Sequence, residues 1–339
     1  MTLRTHASSR TVLVIAVAGA LALAGCSGGS KAPAAGGSTS TQPSVTAPPP
    51  SWVSPLTGVK TDGNAPKRPI MIVKIDNSID SAPQIGLHGA DLVTEELVEG
   101  GITRLAVFYY SKLPKVVGPV RSMRATDIGV VEPAHAVLVA SGGAPPTVRR
   151  IARAHIKTFT EGAVGYYRDD SRAAPYNLFM HIRALAKTLK PPKQRLTPYL
   201  PWGSANGLPR GRKAVGLSAT FSGGHTTQWS YRGGHYVNTN SNGAHGDRYF
   251  PDTVLVLRVH VGNAGYLDPA GNPVPETDFT GTGAAIVFHA GRMLHATWDK
   301  HGFHRALTLK TAAGPLGLPP GHVWVELVPA NGGSVSVKH

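Results

Sequence analysis

The sequence predicts an α+β fold, in which an N-terminal α/β domain at residues 54–200 is followed by a mainly β C-terminal domain at residues 215–335. The chain beyond the first fifty or so residues is about 285 residues long, which suits two domains better than one. Its first half carries β-prone runs and a basic helical segment. Its second half carries many short β-prone runs separated by Gly, Pro and Asn, the pattern of a mainly β module.

Residues 1–25 predict a lipoprotein signal peptide. Arg4 and Arg10 precede an unbroken run of 13 apolar and small residues from Val12 to Ala24. This run is shorter than the roughly 20 helical residues that a membrane span needs, so we expect it to be cleaved rather than retained.

Cys26 ends the sequence Leu23-Ala24-Gly25-Cys26, a bacterial lipobox, and is the single cysteine of the chain. We expect diacylation of its thiol, with palmitate or similar chains, and cleavage before it, so that the protein meets the membrane through its N-terminal lipid. The alternative is an ordinary signal peptide with an accidental cysteine. A lone lipidated cysteine leaves no thiol for a disulfide or for catalysis.

Residues 26–53 predict a disordered tether. Of the 24 residues from 27 to 50, 21 are Ser, Gly, Ala, Pro or Thr, a composition that cannot bury enough apolar surface to fold. A flexible chain of this length spans roughly 27 Å. We therefore expect the folded part to lie on the extracytoplasmic face of the cell membrane.

The formal net charge of +15 is unevenly placed, because residues 149–200 hold eleven Lys and Arg against three acidic residues. Such a basic surface attracts polyanions, and outside a bacterial membrane these are wall polymers and lipid head groups. The compartment excludes nucleic acid. The alternative is a general basic bias that only keeps the protein soluble.

A first strand is predicted from Ile70 to Ile75, and it ends at Asp76 and Asn77. Polar residues at the carboxyl end of a strand often bind ligands in α/β sheets. Further along, Ala136 to Ala140 predicts a strand and Thr147 to His155 a basic helix. The glycine-rich loop between them lacks the lysine and the spacing of a P-loop.

A hairpin with a primed turn is predicted where Leu92–Glu99 and Ile102–Tyr110 flank Gly100 and Gly101. A helix is the competing interpretation of the first arm, because its acidic residues recur every four positions.

Glu95 and Glu99 would share one face of the first arm, roughly 13 Å apart along the backbone. Two carboxyl groups can act as acid and base across a glycosidic bond if their side chains lean together, so these residues are the best catalytic candidates. The alternative is that they pair with Arg104, Arg121 or Arg124. Arg121 and Arg124 follow a Gly-Pro turn and suit bidentate recognition of carboxylate or phosphate.

In the second half, His225, His235 and His245 fall at intervals of ten, which invites a metal interpretation. We reject it, because metal-binding histidines usually come at short spacings with carboxylate or thiolate company. We expect loop histidines, with His245 and Asp247 as the one pair to keep as a site candidate, and we expect no metal and no cofactor.

The chain resembles the YerB-like family of bacterial lipoproteins over nearly everything that follows the tether. The resemblance rests on these segments, in chain order: Pro55-Leu56-Thr57-Gly58, Ile75-Asp76-Asn77, Ala82-Pro83-Gln84-Ile85-Gly86-Leu87, Ala90-Asp91, Leu97-Val98-Glu99-Gly100-Gly101-Ile102-Thr103-Arg104, Val117-Gly118-Pro119-Val120-Arg121-Ser122, Arg168 and Pro175-Tyr176-Asn177-Leu178. It implies a two-domain extracytoplasmic lipoprotein of unknown function, and its polar positions become candidate site residues. Tyr176 departs from it, since a histidine is expected there.

The leading hypothesis is a lipid-anchored envelope protein that binds a ligand, an anionic wall component or another envelope protein. A carboxylate-dependent hydrolase of wall glycan and an envelope assembly or scaffold factor are the alternatives; no HExxH, G-x-S-x-G or cysteine nucleophile is present. The candidate ligand-binding residues are Asp76, Asn77, Glu95, Glu99, Arg104, Arg121, Arg124, Arg168, Asn177, His245 and Asp247.

Overall fold

The computed structural model describes residues 50–204 and 208–339. The predicted signal peptide, the lipidation site Cys26 and most of the predicted tether lie outside the described residues. Within those residues, no helix is long and apolar enough to cross a membrane.

The first half combines nine strands with three short α-helices. The strands are β1 (Ser51–Val53), β2 (Lys60–Asp62), β3 (Met71–Asp76), β4 (Leu92–Leu97), β5 (Thr103–Tyr109), β6 (Val137–Val139), β7 (Thr158–Phe159), β8 (Tyr166–Arg168) and β9 (Leu178–Met180). The helices are α1 (Asp127–Val131), α2 (Pro145–Arg153) and α3 (Ile182–Thr188). Strand β6, helix α2 and strand β7 form a βαβ unit, since β6 and β7 are parallel neighbours. This unit gives the first half its α/β character.

The second half, over the described residues 208–339, is built from strands. They are β10 (Arg212–Lys213), β11 (Gly216–Ser222), β12 (His225–Arg232), β13 (His235–Asn238), β14 (Thr253–Leu267), β15 (Pro273–Asp278), β16 (Gly281–His289), β17 (Arg292–Lys300), β18 (Thr308–Thr311), β19 (Gly314–Pro315), β20 (Val323–Pro329) and β21 (Ser334–Lys338). The predicted α+β fold with a mainly β second half is confirmed.

One mixed sheet of thirteen strands contains strands from both halves. Its main path runs β19-β18-β17-β16-β14-β20-β4-β5-β3-β6-β7. Strand β20 lies between β14 and β4 and is parallel to both. All seven residues of β20 are buried, as expected for a central strand covered on both faces.

The two faces of this sheet are covered differently. The first face, which includes Ile72 and Phe108, packs against apolar residues of α1 and α2. The second face, which includes Val73 and Val107, packs against the four-stranded sheet β13-β12-β11-β21 and against α3. Side chains alternate along each strand, so neighbouring residues of β3, β4, β5 and β20 point to opposite faces.

The predicted hairpin is confirmed, because β4 and β5 pair antiparallel and β4 is extended rather than helical. Its turn differs from the predicted two-residue primed turn. The backbone N–H of Val98 donates to the carbonyl of Ile102, at 2.9 Å, which leaves the three residues Glu99–Gly101 in the loop. Gly100 and Gly101 both have positive φ, at 74° and 73°.

Candidate functional site

Glu99, in the β4–β5 loop, is held by two arginines. The Nε of Arg124 donates to Glu99 Oε2 at 2.8 Å, and its Nη2 donates to Oε1. Arg104 Nη2 lies 3.8 Å from the same Oε1. Burial raises the pKa of Glu99, but the hydrogen bonds and charge of Arg124 outweigh it and hold that pKa below its usual value. The carboxylate is therefore ionised, and both of its oxygens are engaged by arginine.

Asp76, at the end of β3, also has hydrogen-bond partners on both carboxylate oxygens. Its Oδ2 accepts from Arg121 Nε at 2.7 Å, and its Oδ1 accepts from the backbone and hydroxyl of Ser78 at 2.8 and 2.6 Å. Burial opposes ionisation, yet the Ser78 hydrogen bonds and the nearby arginines hold the pKa of Asp76 below its usual value. The Arg121 guanidinium lies 5.5 Å from the ring centre of Tyr176, so an aromatic ring takes the place of the expected histidine beside it.

Arg104 lies on β5 directly between Asp76 and Glu96, its register partners on β3 and β4. Burial and the charge of Arg124 lower the pKa of Arg104 to about 10. Its Nη1 donates to the carbonyl of Ser122 at 3.1 Å. The predicted residues Asp76, Glu99, Arg104, Arg121 and Arg124 are thus brought together, as a network in which each carboxylate is paired with arginine.

A buried lysine extends this network on the first face of the sheet. Lys74 Nζ donates to Glu96 Oε1 at 2.5 Å and to Asp127 Oδ1 at 2.7 Å, and all three side chains are buried. Burial and the charge of Asp127 raise the pKa of Glu96 against the opposing effect of Lys74. Sequence reasoning missed this group, although a lysine inside the apolar run of β3 was a signal for it.

Glu95 points to the second face, away from that network. Its side chain is fully buried, and its Oε1 lies 3.0 Å from Asn77 Nδ2, 2.7 Å from Thr103 Oγ1 and 2.9 Å from Thr227 Oγ1. His225 Nε2 lies 2.9 Å from the same oxygen. Asn77 and Glu95, two of the candidate ligand-binding residues, therefore contact each other.

Glu326 on β20 is the direct register partner of Glu95. Trp229 Nε1 donates to its Oε1 at 2.6 Å. The Oε2 atoms of Glu95 and Glu326 are buried and have no hydrogen-bond partner in the described residues. Two carboxyl groups buried as neighbours do not both ionise readily, so we expect the pair to hold one proton between them.

Charges around the pair decide which acid keeps the proton. Burial and the charge of Glu95 raise the pKa of Glu326 well above its usual value. Burial also opposes ionisation of Glu95, but the hydrogen bond and charge of His225 prevail and lower the pKa of Glu95. The proton therefore resides on Glu326, and Glu95 carries the charge opposite His225.

Glu95 and Glu99, the best catalytic candidates, are not brought together. Glu95 contacts residues of the second face, whereas the arginines that hold Glu99 belong to the network of the first face. Glu95 is fully buried between two sheets. The two carboxyl groups therefore do not flank an open groove.

The other predicted residues lie apart from these clusters. Arg168 donates to Glu161 at 2.7 and 2.8 Å and to Asn177 Oδ1 at 2.7 Å, on the small β8–β9 sheet. His245 is exposed. Asp247 pairs with His88 rather than with His245, and its Oδ2 accepts from the backbone N–H of Gly86 at 2.6 Å. The expected His245–Asp247 pair is therefore not formed.

His225 was expected in a loop, and that expectation is wrong. It is the first residue of β12, and its side chain is 15% exposed against Glu95. Inward-facing Thr227 and Trp229 follow it at two-residue spacing, a strand signal visible in the sequence. Glu326, set in the otherwise apolar run of β20, was a second missed signal. In the described residues, no group of three or more His, Cys, Asp or Glu side chains is arranged to hold a metal ion.

A cationic cleft lies at the surface near α3. Its volume is about 440 Å³, and its lining residues, called the basic cleft below, are Lys67, Arg68, Leu113, Arg183, Ala186 and Lys187. Four of the six are cationic and none is acidic.

The fold and its sites define a protein built around one large mixed sheet, with Asp76, Glu96 and Glu99 paired to basic side chains and a cluster of cations at the surface. The chain belongs to the family described as protein of unknown function (DUF3048). The model of the family's N-terminal domain matches residues 56–195, and that of its C-terminal domain matches residues 217–325.

The chain is similar to YerB of Bacillus subtilis both in sequence and in solved structure. "Putative lipoprotein YerB" of strain 168 is 24% identical over 290 residues, which cover 81% of this chain and 86% of the relative. The crystal structure of the YerB protein is 22% identical, with a TM-score of 0.70, and the match covers 84% of this chain and 99% of that one. The resemblance to the YerB-like family is confirmed, and the crystal structure shows the same fold.

Proposed function

We propose that this protein is a lipid-anchored envelope protein of the extracytoplasmic face that binds an anionic, phosphate-rich component of the cell wall without cleaving it. The observation that carries the proposal is the basic cleft, where cations converge with no acid among the lining residues. The description of its relative as a lipoprotein supports membrane attachment.

Two arginines of the cleft are held in place by backbone carbonyls rather than by carboxylates. Arg68 donates through Nε and Nη2 to the carbonyl of Tyr110 at 2.9 and 2.6 Å, and Arg183 Nε donates to the carbonyl of Leu113 at 2.8 Å. Carbonyl bonds orient a guanidinium without forming an ion pair, although Asp91 is near enough to Arg68 to act on its charge. An oriented guanidinium with no salt-bridge partner among the described residues suits a phosphate group.

The surroundings of the cleft extend this charge along the surface. Around α3 the exposed cations Lys190 and Lys193 extend this charge, whereas Arg149 and Arg153 belong to α2, which packs on the other face of the sheet. A polyanion longer than one phosphate group would meet several of these charges at once. Its binding would then weaken as salt screens them.

The hydrolase alternative finds less support. Acid–base cleavage of a glycosidic bond needs two carboxyl groups that both face the substrate. Glu95 is fully buried, and Glu99 is held by Arg124 and Arg104. A scaffold factor could use the same basic surface as a binding protein, and it differs only in needing a second partner protein.

Polymer binding is tested by retention of residues 50–339 on immobilised poly(glycerol phosphate). These residues belong to a single compact unit, so they form a suitable soluble protein. We expect retention at about 50 mM salt and its loss at several hundred millimolar, where the Debye length falls to a few ångströms.

A matched pair of variants locates the binding surface. Lys67→Glu with Lys187→Glu changes the charge of the cleft, and Lys213→Glu with Lys310→Glu makes the same change at exposed positions of β10 and β18. We expect at least about a 10-fold weaker affinity for the cleft variant than for the control, or about 1.4 kcal/mol. Retention that does not change with salt concentration, or an equal loss of affinity in both variants, contradicts the proposal.

Attachment is tested separately on the full chain. We expect wild-type protein to be found in the membrane fraction and to incorporate labelled palmitate. The Cys26→Ser variant should do neither, because acyl chains supply the anchor. Cys26→Ser protein that remains in the membrane fraction would show an anchor other than lipid.

A further inference from the structure

We propose that a second cavity, beside the first hairpin of the fold, binds a neutral saccharide unit. The hairpin is β1 and β2, which pair only with each other in the described residues. Opposite it are the turn Leu87–Gly89, the residue before β4 and the residue before β20. The cavity has a volume of about 460 Å³, within the range of small-molecule sites. It is called the hairpin cavity below.

Trp52 of β1 supplies an aromatic wall. Its indole is partly buried and packs edge-on against Tyr110, with ring centres 5.8 Å apart and an interplanar angle of 88°. That contact fixes the ring, so a ligand meets a rigid apolar surface and loses little entropy in ordering it. The C–H faces of a sugar ring pack well on such a surface.

Asp91 supplies a buried acceptor. Its Oδ2 accepts from the backbone N–H of Tyr110 at 2.6 Å and of Ser111 at 2.9 Å, which fixes the carboxylate. The side chain lines the cavity although the residue is only 3% exposed. Burial raises the pKa of Asp91, while hydrogen bonds from Ser111 and from the backbone of Tyr110 act to lower it. The carboxylate is therefore a buried, oriented acceptor that a ligand hydroxyl can share.

His88 and His322 supply two further polar groups at the cavity wall. Nδ1 of His88 contacts Asp247, and Nδ1 of His322 lies 3.8 Å from Asp252. An imidazole can donate to or accept from a ligand hydroxyl through a ring nitrogen that has no protein partner. Both rings are about half exposed, at 57% and 50%, so a ligand can reach them.

The charge of the lining favours a neutral ligand. Among its residues are the acids Asp62 and Asp91 and the single lysine Lys112, so the cavity lacks the cationic excess of the basic cleft. Hydroxyl and amide groups of Ser54, Thr57, Thr61 and Asn64 complete the wall. One aromatic face with many donors and acceptors matches a polyhydroxylated ring better than a phosphate or an apolar peptide.

The test uses the chain from residue 26 onward with Cys26→Ser, so that the tether is present without its lipid. Calorimetric titration with two probes, a trimer of N-acetylglucosamine and maltotriose, is expected to show saturable binding of at least one, with Kd of about 1 mM or tighter. Trp52→Ala should weaken it at least about 10-fold. Asn64→Ala, an exposed substitution that leaves the fold intact, should weaken it measurably.

The proposal is independent of the basic cleft, so the Lys67→Glu with Lys187→Glu variant should bind the saccharide as wild type does. Three results would overturn it. They are no saturable binding of either probe, binding that neither Trp52→Ala nor Asn64→Ala changes, and binding that appears only after residues 27–49 are deleted. The last result would make the tether itself the occupant of the cavity.

Discussion

Glu326 is the residue whose charge state matters most for the interior. It shares a proton with Glu95 between two sheets, and its raised pKa means that the folded state holds a proton that the unfolded chain gives up. Stability from this proton is lost as pH rises from the usual glutamate pKa through the raised pKa of the folded state. The pKa of His225 is also raised, because Glu95 outweighs the effect of burial. Stability that comes from the protonated His225 is therefore also lost as pH rises.

Glu326→Gln should remove the Glu326 part of this pH dependence. The amide keeps an acceptor for Trp229 and donates permanently to Glu95, so it mimics the protonated acid. We expect the variant to be more stable than wild type by about 1–3 kcal/mol at pH 8, the usual cost of one badly satisfied buried polar group, and nearly equal at pH 5. Urea unfolding between these pH values measures the difference, and parallel pH profiles for the two proteins would rule out the shared proton.

Lys74 makes a second prediction about single residues. Lys74→Met leaves Glu96 and Asp127 buried without the ammonium group that bridges them. We expect a loss of about 3–5 kcal/mol in the free energy of unfolding at pH 7, because breaking a buried ion pair strands a charge. The exposed control Lys115→Met should change it by less than about 0.5 kcal/mol. A loss no larger than that of the control would show that the triad contributes nothing.

The site residues were predictable only in part, and charge pairing explains which part. Arg121 and Arg124 follow their turn at a fixed local spacing, so their pairing with acidic residues of the first half could be anticipated, and their partners are Asp76 and Glu99. Glu326 lies more than 200 positions from Glu95 in the chain, and no local pattern connects them. Whether a buried acid meets an arginine, a lysine or another acid depends on the pairing of distant strands.

At the scale of elements, the β4–β5 loop shows how one residue sets a turn. Gly100 has φ of 74° with open space around a would-be Cβ, whereas Gly223 has equal space without positive φ. Gly100→Ala should therefore cost about 1 kcal/mol of unfolding free energy through backbone strain alone, and Gly223→Ala close to nothing. Equal urea midpoints for both variants would mean that the loop relaxes freely.

Individual strands and helices could be predicted from the sequence because their periodicity is a local property of the chain. The β3, β6 and α2 segments all matched predicted runs of β-prone or helical residues. The turn after β4 was misjudged because Glu99 leaves the strand to reach Arg124, so a tertiary ion pair adds one residue to the loop. Strand β14 extends to Leu267 because β15 folds back to pair with its distal part.

At the scale of the whole molecule, β20 joins the two halves. Its pairing with both β14 and β4 places a strand of the second half next to a strand of the first half in one sheet. We expect a single cooperative unfolding transition. Leu327→Ala should lower the free energy of unfolding by about 2–5 kcal/mol, because the smaller side chain leaves a cavity in the core. Hydrogen exchange in β3 and in β16 should speed up together, and faster exchange in β16 alone would show that the halves unfold separately.

This pairing was beyond the sequence analysis, which treated the halves as consecutive domains. A parallel neighbour leaves no hairpin turn in the sequence, and β20 reads as an apolar run whose partner cannot be inferred locally. The contrast between paired acids in the interior and a cluster of cations at the surface is likewise a property of the assembled molecule.

The most direct test of the central claim, binding without cleavage, incubates residues 50–339 with purified cell wall and measures retained protein and released fragments together. Wild type and the Glu95→Gln, Glu99→Gln double variant are run side by side. We predict salt-sensitive retention of wild type and no released saccharide fragments from either protein. Fragments that wild type releases and the double variant does not would contradict the account and establish a carboxylate-dependent hydrolase.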